Sequence, residues 1–454
     1  MKASNKWNSG RYLPPDMSER VGDPYVCRLE PFSDGFEFEI LDPMKAELYR
    51  VDVTERGTGK TLSETVTGTA ARVRGLPAGT DLSFRVTAHD GRSSEERLLK
   101  CGDYPGTVVN YIHPGDPEYS FSGRFPASPS LVKLPGGALL ASMDVYAAKE
   151  PQNLTLIFRS DDGGRSWRHL TELFPCFWGK LFLCGGSLYM LACSTEYGDL
   201  LIGRSDDEGE NWTAPSAIFR GSSHFGRNGW HRAPVPVLIK DGRVMTDVQY
   251  GSWPGKKFLD AVLSADADRD LTDPSNWVCS DFFDASSAVS PMPEKVYGGI
   301  EGNLVVRPDG GISDFLRFDD GQVLVLGYDP EHPENPPSFE RLGGFPSTAS
   351  KFDILSDPVS KRYYSIVSYA LENPKTKRNM LSLVCSDDLI SWRLCGHLID
   401  RRYDDPALTG FQYADFIIDG NDILYLSRTA VCGADSFHNA NCITFHKIEN
   451  FREL

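Results

Sequence analysis

Between residue 120 and the end of this chain, six strand-like runs each open on groups able to do chemistry. "GRFPASPSLVKL" brings Arg124, "FWGKLFLC" brings Trp178 and Lys180, and "WHRAPVPVLI" brings His231 and Arg232. "EGNLVVRP" starts on Glu301, "TASKFDIL" carries Lys351, and "FQYADFII" carries Tyr413 and Asp415. Guanidinium groups hold organic anions through forked, charge-assisted hydrogen bonds. A carboxylate, a phenol or an imidazole can move protons, and an indole offers a flat face for stacking. The plain alternative is packing, in which Tyr413 is a core residue with a satisfied hydroxyl and His231 and Trp178 fill space. Small apolar side chains would fill a purely structural channel, so the recurrence favours a site.

These groups converge only if the runs are arranged around an axis, and a repeated turn supplies that arrangement. "FRSDDGGRSW" has the frame Ser160-x-Asp162-x-Gly164-x-x-Trp167, and "GRSDDEGENW" repeats it with Ser205, Asp207, Gly209 and Trp212. Eroded copies end at Trp277 and at Trp392, the latter keeping Ser386 and Asp388. Amphipathic helices are scarce and strand-like runs recur between turn signals. A unit of roughly 45 to 65 residues holding several short strands is the signature of propeller blades. The span 120–454 then makes six blades, with the six runs above as their innermost strands. Ser and Asp side chains cap backbone N–H groups inside such a turn, and Trp plugs the gap between strands.

The turn is identified as an Asp-box, and the chain resembles the sialidase superfamily of six-bladed propellers. In that family the first blade opens on an Arg ahead of an Ile-Pro pair, which places Arg124. The fourth opens on a Glu with a second Arg about fifteen residues on, which places Glu301 and Arg317. A third Arg precedes the fifth-blade turn, here Arg378 in "TKRNMLSLVCSDDLISW". The nucleophilic Tyr sits in the next inner strand, here Tyr413. The resemblance implies a glycoside hydrolase for a terminal acidic sugar. Arg124, Arg317 and Arg378 would hold its carboxylate, and Glu301 would activate Tyr413. Trp178, Lys180 and Asp144 are further substrate contacts. Glu150 lies closest to the place of the family's general acid, in "SMDVYAAKEPQN", which is no copy of the family's own context. His231 is a competing base. With Tyr413 and an Arg it would suit a lyase or hydrolase for uronic-acid glycans, and a non-catalytic sugar-binding propeller is the third alternative.

Upstream, "FEFEIL", "AELYRVDV" and "SFRVTAHDG" alternate with period two. The stretch "VRGLPAGTDLSFRVTAHDGRSS" resembles fibronectin type III, with Leu82 where that family has a corner Tyr. The expected organisation is a lead-in over 1–22, a β-sandwich over 23–102, a linker over 103–119 and a propeller over 120–454. The fold class is all-β.

Composition narrows the partners. A net charge of −16 disfavours nucleic acid and makes clustered arginines stand out. No run of about 18 apolar residues predicts a membrane span. The ten cysteines show no C-x-x-C pair and no metal-like spacing, so no metal or cofactor is expected. The start, "MKASNKWNSGRYLPP", lacks an apolar signal core, which predicts a cytoplasmic protein. The expected partner is an acidic sugar or oligosaccharide.

Overall fold

A computed structural model describes residues 5–8, 22–223, 228–369 and 378–454. Two antiparallel sheets form the N-terminal unit. Tyr25–Phe32, Gly35–Leu41 and Ala70–Arg74 make the first, and Leu48–Glu55, Thr61–Thr67, Asp81–Ala88 and Arg97–Lys100 the second. Alternate residues point inward. Phe36, Phe38 and Phe84 therefore meet between the sheets, with ring centroids 4.8 to 5.9 Å apart.

Six further sheets follow. Their innermost strands are Phe125–Lys133, Phe177–Cys184, Gly229–His231, Ile300–Val306, Ile354–Ser356 and Gly410–Asp419. The first sheet packs on the second and, through Phe125–Lys133 against Gly410–Asp419, on the sixth, so the ring closes as a β-propeller. Two inner strands are shorter than the sequence suggested. Pro234 and Pro236 carry no N–H, and the third sheet's run breaks into Gly229–His231 and Leu238–Lys240. Lys351 precedes its strand.

The stretch 103–119, expected as a linker, holds the strand Thr107–Tyr111, which pairs with Cys442–Ile448 as the outer strand of the sixth sheet. Strands from distant parts of the chain thus share one sheet, and opening the ring requires breaking it. The same strand seats the sandwich. Buried Arg28 donates Nε–H to Val109 O (3.0 Å), and Leu29 N–H donates to Asn110 Oδ1 (2.9 Å).

The repeated turns lie at the ends of the sheets away from the starts of the inner strands. Ser160 Oγ accepts from Gly164 N–H (2.8 Å) and donates to Asp162 (2.8 Å), which accepts from Ser166 N–H (3.0 Å). Ser205 and Asp207 repeat these bonds at 2.9, 2.9 and 2.8 Å. Ser386 and Asp388 keep the pattern without the glycine, and Leu389 takes the positive φ of 63°.

Residues 5–8 bind the first two sheets from outside. Trp7 is fully buried, stands edge-on to Trp212 at 6.0 Å and donates Nε1–H to Pro175 O (2.9 Å). Asn8 donates to Glu172 O (2.7 Å) and accepts from Phe174 N–H (2.8 Å). Trp7→Ala is expected to cost about 3–5 kcal/mol of stability, read by denaturant unfolding. Substitution of exposed Lys6 by Ala should leave it unchanged.

Candidate active site

Four inner strands share one irregularity near their starts. Ser128, Trp178, Glu301 and Tyr413 have φ of 47°, 55°, 57° and 54°. At each, the register with the next strand slips. These are β-bulges, which turn a side chain out of the sheet's alternation and are common beside active sites. The residue following Glu301 must be glycine, because a Cβ on Gly302 would lie 2.4 Å from Asp314 Oδ1. Gly302 N–H is held by Asp247 Oδ2 at 2.7 Å, and Trp178 N–H by Asp144 Oδ2 at 2.7 Å.

Two of the bulged residues meet. Tyr413 Oη donates to Glu301 Oε1 at 2.6 Å. Arg317 Nη1 donates to Glu301 Oε2 at 2.9 Å and to Tyr413 Oη at 3.3 Å. The Arg428 guanidinium lies over the Tyr413 ring at 5.5 Å and over the Tyr146 ring at 5.4 Å. Arg378 donates to Gln412 Oε1 and to Ala349 O (2.7 Å), and its charge acts on Tyr413. A side cavity of about 180 Å³, lined by Trp253, Tyr297, Asp319 and Ala349, opens beside Arg317.

The electrostatics follow from burial and these charges. Burial pushes the Tyr413 phenol up to about 12, and the Glu301 charge adds to it against Arg317 and Arg378. Burial also raises Glu301, but the Arg317 charge and the Tyr413 hydrogen bond outweigh it and hold the carboxylate below its usual value. Arg378 falls to about 10 through burial and the neighbouring Arg317 charge. An ionised Glu301 beside a neutral phenol is the state in which a carboxylate can accept the proton of an attacking tyrosine. Cations crowded enough to lower one another are relieved by a bound anion.

The structure brings together Tyr413, Glu301, Arg317 and Arg378 and corrects other assignments. Arg124 is exposed, one residue ahead of its strand. No described contact joins it to the cluster. The third guanidinium is Arg428, which the sequence reading missed. Strand register identifies it. Arg317 pairs across from Ile300 and Arg428 from Gln412, each one residue before a bulge.

Lys180 does not face a ligand. Its Nζ bonds Asp415 Oδ1 at 2.5 Å, beside fully buried Lys351, which bonds Asp353 at 2.8 Å and Ala414 O at 2.9 Å. Regular alternation would turn Lys180 the same way as Trp178 and Asp415 the same way as Tyr413; the bulge reverses this and sends the residue two on into the axis. Asp144 is fully buried beneath the site, accepting from Thr155 Oγ1 (2.6 Å) and Trp178 N–H, and burial raises it to about 7. It props a bulge and is no substrate contact. Glu150 sits half-buried in the loop after Leu139–Tyr146, and no described contact ties its carboxylate to the cluster. His231 is buried in the wall behind Glu301, 4.5 Å from Trp178 and 4.8 Å from Phe258 between ring centroids, with Nδ1 3.2 Å from Gln249 Oε1. Burial lowers it to about 4, so it is neutral. Trp178 is half-buried in the same wall. No cluster of three or more metal-ligating side chains exists among the described residues.

No family model matches the chain. No curated protein matches it either. Solved structures do. An alpha-L-arabinanase of Penicillium chrysogenum in complex with arabinobiose superposes with a TM-score of 0.53 at 15% identity, over 77% of this chain and 98% of the other. The NanB sialidase of Streptococcus pneumoniae gives 0.51 at 10% identity over 94% and 93%. The Hadza microbial sialidase Hz136 gives 0.50 at 12% over 93% of both chains. The fold is the β-propeller shared by these glycoside hydrolases, all-β and preceded here by a small sandwich.

Tyrosine ¹³Cζ spectra should show Tyr413 ionising near pH 12. Glu301→Gln removes a negative neighbour and should lower that value; an unchanged titration would refute the coupling. Lys180→Met should cost about 1–3 kcal/mol by removing the nearer of two ammonium groups at buried Asp415, Lys351 remaining at 3.8 Å. Adding Asp415→Asn should recover part of it in the same unfolding measurement.

Proposed function

We propose that the chain is a retaining glycoside hydrolase that releases a terminal sugar carrying a carboxylate, with Tyr413 as nucleophile and Glu301 as its base. The observation that carries this is the 2.6 Å bond between Tyr413 Oη and Glu301 Oε1 amid three guanidinium groups. Arg317, Arg378 and Arg428 hold the sugar carboxylate. A carboxylate nucleophile would be repelled by that anion, whereas a neutral phenol is not. Tyr413 Oη attacks the anomeric carbon while its proton passes to Glu301, and the bond to the leaving oxygen breaks. A glycosyl–tyrosine ether results. Water then attacks the same carbon, and Glu301 returns the proton to the departing Tyr413 oxygen.

The fold is shared with arabinanases as much as with sialidases. The arginines favour the acidic sugar, because a neutral pentose gives three cations nothing to neutralise. The uronate-lyase alternative needs a free base at His231. The bond to Gln249 and the aromatic packing of His231 speak against it. The three-plus-four sandwich supports the fibronectin type III resemblance, and its contacts through Arg28 suit a module docked on the sixth sheet.

Fluorogenic aryl glycosides of sialic acid, glucuronic acid and arabinofuranose discriminate these readings. Turnover of an acidic glycoside with retained configuration is expected, and Tyr413→Phe should lower kcat/KM at least about a thousandfold. Arg378→Met should weaken kcat/KM roughly ten- to hundredfold. Turnover confined to the arabinofuranoside would overturn the acidic assignment.

A further inference from the structure

A double displacement needs a proton donor for the leaving oxygen, and the assignments above leave that role open. Asp144 is sealed beneath the site. Asp319 lines the cavity on the Arg317 side, where the anion is held, and the donor must serve the other substituent of the anomeric carbon. The loops that follow Leu139–Tyr146 and Ser187–Cys193 lie by Tyr146 and Trp178, and Tyr197 of the second packs edge-on to Trp178 at 6.2 Å.

Glu196 lies on the second of these loops. Gln152 of the first loop, 1% exposed, donates Nε2–H to Glu196 Oε2 at 3.1 Å. Thr195 Oγ1 bonds Pro151 O, so the loops are clipped together at adjacent residues. The next residue, Tyr197, stacks on His231 at 6.5 Å, and its Oη accepts from Trp253 N–H at 3.1 Å. The Glu196 charge is felt at Tyr146, and the Tyr146 ring lies under the same Arg428 that covers Tyr413. This carboxyl is therefore half-buried and fixed by both loops, next to Tyr197, whose ring packs against Trp178 and His231 in the wall of the site.

We propose that Glu196 is the general acid, giving its proton to the glycosidic oxygen as that bond breaks. The proposal rests on the glycosidase reading. The electron pair of the C–O bond goes to the leaving oxygen, which takes the Glu196 proton and departs as an alcohol. In the second half Glu196, now a carboxylate, accepts a proton from the attacking water, and the enzyme returns to its starting state.

Burial pushes Glu196 up from the ordinary carboxylate value, against hydrogen bonds from Tyr197 and Gln152, which favours the protonated form an acid requires. Tyr146, Tyr197 and Gln152 are its neighbours. Lys149, Glu150 and Asp199 are the remaining ionisable groups of the two loops, and Asp199 is engaged by Arg220 at 2.6 Å. A donor with a raised value loses its proton as pH rises through it, so it sets the basic limb of the rate profile.

Glu196→Gln separates the outcomes, measured on an acidic disaccharide and on an aryl glycoside with an acidic phenol as leaving group. The expected result is a loss in kcat/KM of about 10²–10⁴-fold on the disaccharide and of less than about tenfold on the aryl glycoside. The basic limb should vanish and the melting temperature should stay unchanged. Equal losses on both substrates, or a retained basic limb, would overturn the role of Glu196 while leaving the Tyr413 mechanism standing. Wild-type protein inactive on every acidic glycoside would overturn the glycosidase reading and this proposal with it.

Discussion

One backbone irregularity, repeated near the starts of four inner strands, is what the site depends on. A regular strand would send Ser128, Trp178, Glu301 and Tyr413 into its own alternation. The bulge turns each out of it. A non-glycine residue in the left-handed region costs about 1–2 kcal/mol, and the surrounding hydrogen bonds offset that cost. Asp144 accepts from Trp178 N–H, Asp247 from Gly302 N–H, and Lys351 donates to Ala414 O beside Tyr413. Buried polar side chains near the axis thus act mainly as props for strained backbone.

That division of labour explains how an acidic chain supports a cationic centre. Lys180 and Lys351 are neutralised by Asp415 and Asp353 beneath the site. Above them stand Arg317, Arg378 and Arg428, and the Glu301 carboxylate bonds Arg317 and Tyr413 together. The excess positive charge is thereby confined to the level of Tyr413. The wall beside this cluster is aromatic, with Trp178, Tyr197 and His231 packed together and Tyr146 under Arg428.

The shared sheet of the propeller holds this arrangement in register. Thr107–Tyr111 joins the sixth sheet and also seats the sandwich, so the N-terminal unit and the ring closure use the same strand. The sixth sheet carries both Tyr413 and Arg428. Closure of the ring and placement of Tyr413 are therefore one structural event.

What could be read from residues alone was what is local. Alternating polarity and a repeated Ser-Asp-Gly-Trp turn are set by neighbours a few positions apart, and they specified strands and their grouping into sheets of a propeller. Glu301 and Tyr413 were legible because each stands where an apolar strand begins. Arg124 looked equivalent by the same rule, yet it stops one residue short of its strand and stays in solvent. Arg428 was hidden in "DILYLSRTA", because its role depends on cross-strand register with Gln412 and not on its place in a run. Lys180 was misjudged by two positions past a bulge, where the side-chain direction reverses. Composition and spacing thus determined the all-β propeller and the kinds of groups at its centre. Only the closed ring decided which of them face one another, because side-chain direction there is set by bulges and strand register, and groups that meet, such as Glu301 and Tyr413, stand 112 positions apart.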